Sequence, residues 1–161
     1  MKHTALFAIS LALSACSAIG PTSSPKFPAL IRAAVPPQEG EIHIVGSASW
    51  YPNTRGFTPL RSTLLGRPSD PIPGALAITT SSLVFSQWDE VAEKFEPIKR
   101  IRYIEIEDVS LDSFGVNRRM VIRKTDLSVD SFDFTRAAGN LVDAEKVEEA
   151  VKFVQSKKKD G

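Results

Sequence analysis

The chain carries little with which to do covalent chemistry. Its 161 residues include one cysteine, Cys16, and two histidines, His3 and His43. A lone cysteine has no partner for an intramolecular disulfide. His3 falls in the N-terminal segment, so a Ser-His-Asp or Cys-His mechanism would rest on His43 alone, and a zinc site would lack thiolates. His43 stands between Ile42 and Ile44 in a strand-like stretch. It is expected at a surface or edge, not as a base or ligand. No Gly-rich phosphate loop and no catalytic signature are present. An enzyme is therefore not expected. Neither sign of charge is in excess: 20 Lys and Arg face 19 Asp and Glu. That balance gives no reason to expect a nucleic acid partner. The apolar run from Thr4 to Leu13 is about half of the roughly 20 residues that a membrane-spanning helix needs, and no later run is longer.

What is present begins at the N-terminus. Lys2 and His3 precede that apolar run, the layout of an export signal. The run ends in Leu13-Ser14-Ala15-Cys16, which resembles the lipobox of bacterial lipoprotein signals. The resemblance implies cleavage before Cys16, a thioether to diacylglycerol on its sulfur and an acyl group on the freed amine. An ordinary cleavage site among Ser14, Ala15, Ser17 and Ala18 is the alternative. Two or three acyl chains make a lasting anchor, since each buried CH₂ contributes about 0.8 kcal/mol. The covalent lipid on Cys16 is the one non-protein group expected; no cofactor or metal is. Ser17, where Asp would imply inner-membrane retention, favours the outer membrane, facing the periplasm.

The expected organisation is a signal peptide over 1–15, a lipidated Cys and Pro-rich tether over 16–38, and one domain over 39–161. Pro21, Pro25, Pro28, Pro36 and Pro37 favour an extended spacer. Its upper reach is on the order of 65 Å. A short helix packed on the domain from Phe27 to Val35 is the alternative, on the spacing of Phe27, Leu30, Ile31 and Val35. The domain opens with period-two alternation that places Ile42, Ile44, Ala48 and Trp50 on one strand face. A Pro-rich connection, residues 51–74, follows, with a possible short strand from Thr58 to Leu65. Strands are expected over Ala75 to Thr79, Leu83 to Trp88, Ile98 to Ile106, Asp108 to Phe114, Arg119 to Lys124 and Leu127 to Phe134. The last element changes period. Ala144, Val147, Val151 and Val154 recur at three-four spacing, with Asn140 as N-cap and Glu148–Lys152 as an i,i+4 pair.

From Gly74 onward the pattern resembles the GRAM and PH-like superfamily. Gly74-Ala75-Leu76-Ala77-Ile78-Thr79 with Leu83-Val84-Phe85 matches its opening. Ile101-Arg102-Tyr103-Ile104-Glu105-Ile106-Glu107-Asp108-Val109 matches its middle stretch. Met120-Val121-Ile122 and Phe132-Asp133-Phe134 match its late hairpin. The resemblance implies a mainly β fold, an open barrel of about seven antiparallel strands capped by one C-terminal helix. On apolar patterning, Phe85, Phe132 and Phe134 are expected to pack under that helix with Val147 and Val151. Trp50, Tyr51 and Phe57 are expected to finish the core, with an exposed aromatic contact near the 51–74 connection as the alternative.

The resemblance also implies binding without catalysis. The first expectation is an interaction domain that engages an envelope protein partner through a groove or an edge strand. The alternative is an anionic lipid headgroup or other anion held by Arg55, Arg61 and Arg67 in the 51–74 connection. Arg118, Arg119, Arg123 and Lys124 are expected to pair across strands with Glu105, Glu107, Asp108 and Asp112.

Overall fold

The computed structural model describes residues 20–52, 71–114, 117–136 and 141–159. Helix α1 spans Phe27–Ala34. Seven strands follow: β1 Ile42–Tyr51, β2 Ile72–Thr79, β3 Ser82–Asp89, β4 Lys94–Arg102, β5 Ile106–Phe114, β6 Asn117–Lys124 and β7 Val129–Phe134. Helix α2, Ala144–Lys159, closes the chain. All ladders are antiparallel and the strand order is β4-β3-β2-β1-β7-β6-β5. The sheet is open, with β4 and β5 as its edges. The expected mainly β architecture with one C-terminal helix is thus observed.

Successive side chains on a strand point to opposite faces, and here both faces of β2 and β3 are used. Leu76, Ile78, Leu83 and Phe85 join one core with Phe132, Phe134, Val147 and Val151. Phe85 and Phe132 lie with ring centroids 6.0 Å apart. Removing such a side chain from water stabilises by about 1.5–3 kcal/mol. Ala75, Ala77 and Val84 point the other way, into a second cluster with Phe27, Ile31, Val35 and Phe95.

That second cluster corrects the tether. Phe27, Ile31 and Val35 recur every four residues, so one helical face carries all three into the sheet. Pro28 falls in the first turn of α1, where its missing N–H would have no intrahelical partner. The prolines that favour an extended spacer over this stretch instead start a helix. A 3-10 turn, Pro37–Glu39, then delivers Glu39 to the interior.

Other boundaries shift for local reasons. β4 starts at Lys94, not Ile98; it is an edge strand, where Pro97 is tolerated. A 3-10 turn at Tyr103–Glu105 separates β4 from β5, so the Ile101–Val109 stretch is split, with Ile101, Ile106 and Val109 all buried. β7 starts at Val129, because Leu127 has φ 65° in the preceding turn. A register shift between Ile42 and Ile44 sends Ile42 to the α1 side while Ile44, Ala48 and Trp50 keep the inner face. The Asp143 carboxylate accepts from the Lys146 N–H at 3.3 Å and caps α2. Asn140, Thr58 to Leu65 and Phe57 lie outside the described residues.

Of the expected cross-strand charge pairs, Arg123 with Glu107 forms, at 3.1 Å. The other three cations also meet groups beyond β5. Arg118 meets Glu148 of α2, Lys124 meets Asp130 of β7, and Arg119 lies 3.7 Å from the Tyr51 ring centroid. β7 is the ladder neighbour of β6 and α2 packs against it, so both come nearer to these groups than sequence order implies.

Candidate functional site

Among the described residues strand β5 is an edge, so its outward N–H and C=O groups have no ladder partner there. Helix α2 lies alongside it. Gln155 Nε2 donates to the Val109 carbonyl at 3.1 Å, and Lys158 Nζ donates to the Glu107 carbonyl. Residues 107 and 109 therefore face the free edge, and by alternation so do Leu111 and Ser113. Leu111 and Ser113 are exposed. A groove of about 390 Å³ runs between the two elements, lined by Asp108, Val109, Gln155 and Lys158. At Glu107 and Val109 the edge is blunted by two helix side chains, and beyond them the strand continues through exposed Leu111 and Ser113. Gln155 and Lys158 occupy the carbonyls that the amides of an added strand would use. Both read in sequence as the solvated face of an amphipathic helix; their i,i+3 spacing beside Val154 is the signal that places them together.

Two polar clusters lie inside the fold and hold its frame. Asp130 is buried; its Oδ1 accepts from Trp50 Nε1 at 2.9 Å, and its Oδ2 lies 3.2 Å from Lys99 Nζ and 3.1 Å from Lys124 Nζ. This one carboxylate ties β1, β4 and β6 to β7. Burial is the largest single influence and pulls the Lys124 ammonium down, but the contact and charge of Asp130, with Lys99 and Asp126 adding to them, together hold the group above the ordinary lysine range. On the opposite face of β7, Asp133 accepts from Tyr51 Oη at 2.8 Å and from the Ser49 N–H at 3.2 Å. Trp50 and Tyr51 are half-buried, as this wet-ended packing requires.

Burial, then the charge and hydrogen bond of Asp133, push the Tyr51 phenol up to about 12 from 10.0. The folded pKa lies above the unfolded one, so the neutral phenol favours the fold. That contribution is complete below pH 10 and is lost as pH rises through about 12. Tyr51→Phe should therefore flatten the alkaline fall in stability over this window, read as urea midpoints against pH. A slope equal to wild type would show that the phenol does not contribute.

The sequence-predicted site residues are distributed as follows. Cys16, Arg55, Arg61 and Arg67 lie outside the described residues. His43 is exposed, with Nε2 3.3 Å from Thr80 Oγ1 and its ring centroid 4.7 Å from that of Phe153. Among the described residues, no group of three His, Cys, Asp or Glu side chains could hold a metal ion, and no helix is long and apolar enough to cross a membrane.

The fold has counterparts among solved structures. The C-terminal domain of an unknown protein from Leishmania infantum matches with TM-score 0.51 and 16% identity, over 81% of this chain and 96% of that one. The DH/PH domains of p115-RhoGEF match with TM-score 0.50 and 6% identity, over 88% of this chain. The fold is PH-like. Vav1 inhibited by an allosteric inhibitor is also similar, with TM-score 0.52 and 10% identity over 74% of this chain. The chain spans 36% of the p115-RhoGEF structure and 28% of the Vav1 structure. At these identities the likeness is one of fold alone. No protein-family profile and no curated protein sequence matches the chain.

Proposed function

We propose that this chain is a membrane-anchored, non-catalytic interaction module of the bacterial envelope. Lipid on Cys16 holds it at the outer membrane, facing the periplasm, and a segment of an envelope protein adds as a strand to β5. The observation that carries this reading is the free edge from Leu111 to Ser113, which continues the groove beneath α2. Strand addition draws affinity from main-chain hydrogen bonds and specificity from the side chains beside them. Here the incoming amides would displace Gln155 from the Val109 carbonyl and then pair with Leu111 and Ser113.

The decisive variant removes one outward N–H. Leu111→Pro leaves the β5–β6 ladder intact, because proline is tolerated on the free side of an edge strand. With a photo-crosslinking residue at Ser113 in cells, the adduct should vanish in Leu111→Pro and persist in Leu111→Ala, which keeps the N–H. An adduct that survives Leu111→Pro would overturn strand addition.

A further inference from the structure

The N-terminal segment of the described structure is docked on the domain. Gly20 has φ 79° and lies so close to the β3–β4 hairpin that a Cβ there would fall 2.8 Å from the Phe95 ring and 3.0 Å from Trp88. From that seat α1 runs along the sheet. Phe27 meets Phe95 with ring centroids 5.7 Å apart, and Gly40 ends against Thr80 in the β2–β3 turn. The entry point of the chain is thus fixed at the hairpin end of β1–β4. Four residue steps separate Gly20 from Cys16. Fully extended, they reach at most about 14 Å.

We infer that the β3–β4 hairpin end of the sheet is held against the bilayer surface, with the Phe153 turn of α2 presented at the far end. The inference rests on lipidation of Cys16, proposed above. A leash of about 14 Å is shorter than the domain is long. Acyl chains in the membrane therefore bring Trp88, Phe95 and the hairpin tip to the headgroups. Val91 stands at that tip and is 96% exposed. Asp89, Glu90 and Glu93 surround it. Those carboxylates keep the tip at headgroup level rather than in the hydrocarbon.

The Phe153 turn of α2 lies at the other end. His43, at the start of β1, touches Phe153 of α2, two residues before Gln155. Ser86 stands across β2 from Ser47 of β1, through Ala75, and β3 then continues to Trp88. Trp88 is thus level with Ser49, six residues along β1 from His43, or roughly 20 Å.

The test uses the acylated full-length protein in phosphatidylethanolamine–phosphatidylglycerol vesicles that contain a nitroxide headgroup lipid. A fluorophore is placed at Val91→Cys or at Ser156→Cys, an exposed α2 position near the groove; Cys16 is blocked by its lipid. Quenching should be at least about twofold stronger at 91 than at 156, given roughly 20 Å between the levels of the two sites. A flexible Gly-Ser insert between Ile19 and Gly20 should abolish the difference. Equal quenching at both sites, or stronger quenching at 156, with acylation verified by intact mass, would overturn the orientation and leave the anchor standing. An intact mass without lipid would remove the anchor and the orientation together.

Discussion

Replacing Arg100 with Met should lower folding stability by about 3–5 kcal/mol. Glu39 is 0% exposed, and Ser82 Oγ donates to its Oε2 at 2.5 Å. Arg100 Nη2 is the counter-charge, 2.6 Å from Oε1; it makes a close charge contact off the hydrogen-bond axis. Without Arg100, a carboxylate sits in the interior with one hydroxyl for company. The reverse change is gentler, because the Arg100 side chain is 47% exposed and its charge can turn to water. Glu39→Gln should therefore cost less, and adding it to Arg100→Met should restore much of the loss. Urea denaturation of the two single variants and the double variant measures this. Equal losses in the singles, or no recovery in the double, would contradict the assignment. Glu39 also ends the segment that begins with α1, so Arg100→Met should admit proteases between Val35 and Ile42.

Gly74→Ala should destabilise at or above the top of the usual range for overpacking, about 1–3 kcal/mol. The added methyl would fall 2.3 Å from the Ser86 carbonyl oxygen and 2.7 Å from Cζ of Phe85. Both neighbours are fixed, one by the backbone and one by the core, so β2 and β3 would have to part. Gly46→Ala provides the scale. Its methyl would meet the Phe134 ring at 2.8 Å and the Lys146 side chain at 3.3 Å. No backbone blocks it, so its loss should be smaller. Thermal melts of the two variants rank them, and Gly46→Ala proving the worse would show that β2 and β3 part more easily than this packing implies.

Gly74 shows what the sequence made legible. It opens the stretch that resembles GRAM and PH-like domains, and its role becomes physical once the Ser86 carbonyl is seen against it. The strands and α2 were readable because their apolar residues keep periods of two and of three to four, and burial follows those periods. Helix α1 was harder, because Pro25 and Pro28 carry the signature of an extended spacer while Phe27, Ile31 and Val35 carry that of a helix. The tie is broken by the outer face of β2, where Ala75 and Ala77 leave room for a helix that no local pattern announces. Glu39 was hidden for a related reason: a charged residue in a Pro-rich stretch looks solvated until its counter-charge, 61 positions later, folds over it. The groove was hidden because Gln155 and Lys158 look like surface residues, and their partners are backbone carbonyls, which carry no sequence signal.

Amide hydrogen exchange along β5, with the cross-linked partner bound and absent, tests the central claim most directly. Strand addition predicts new protection at the outward amides of Leu111 and Ser113. Ser110 and Asp112, already paired to β6, should change little. Protection that ignores this alternation, or that appears on the hairpin and not on β5, would contradict it.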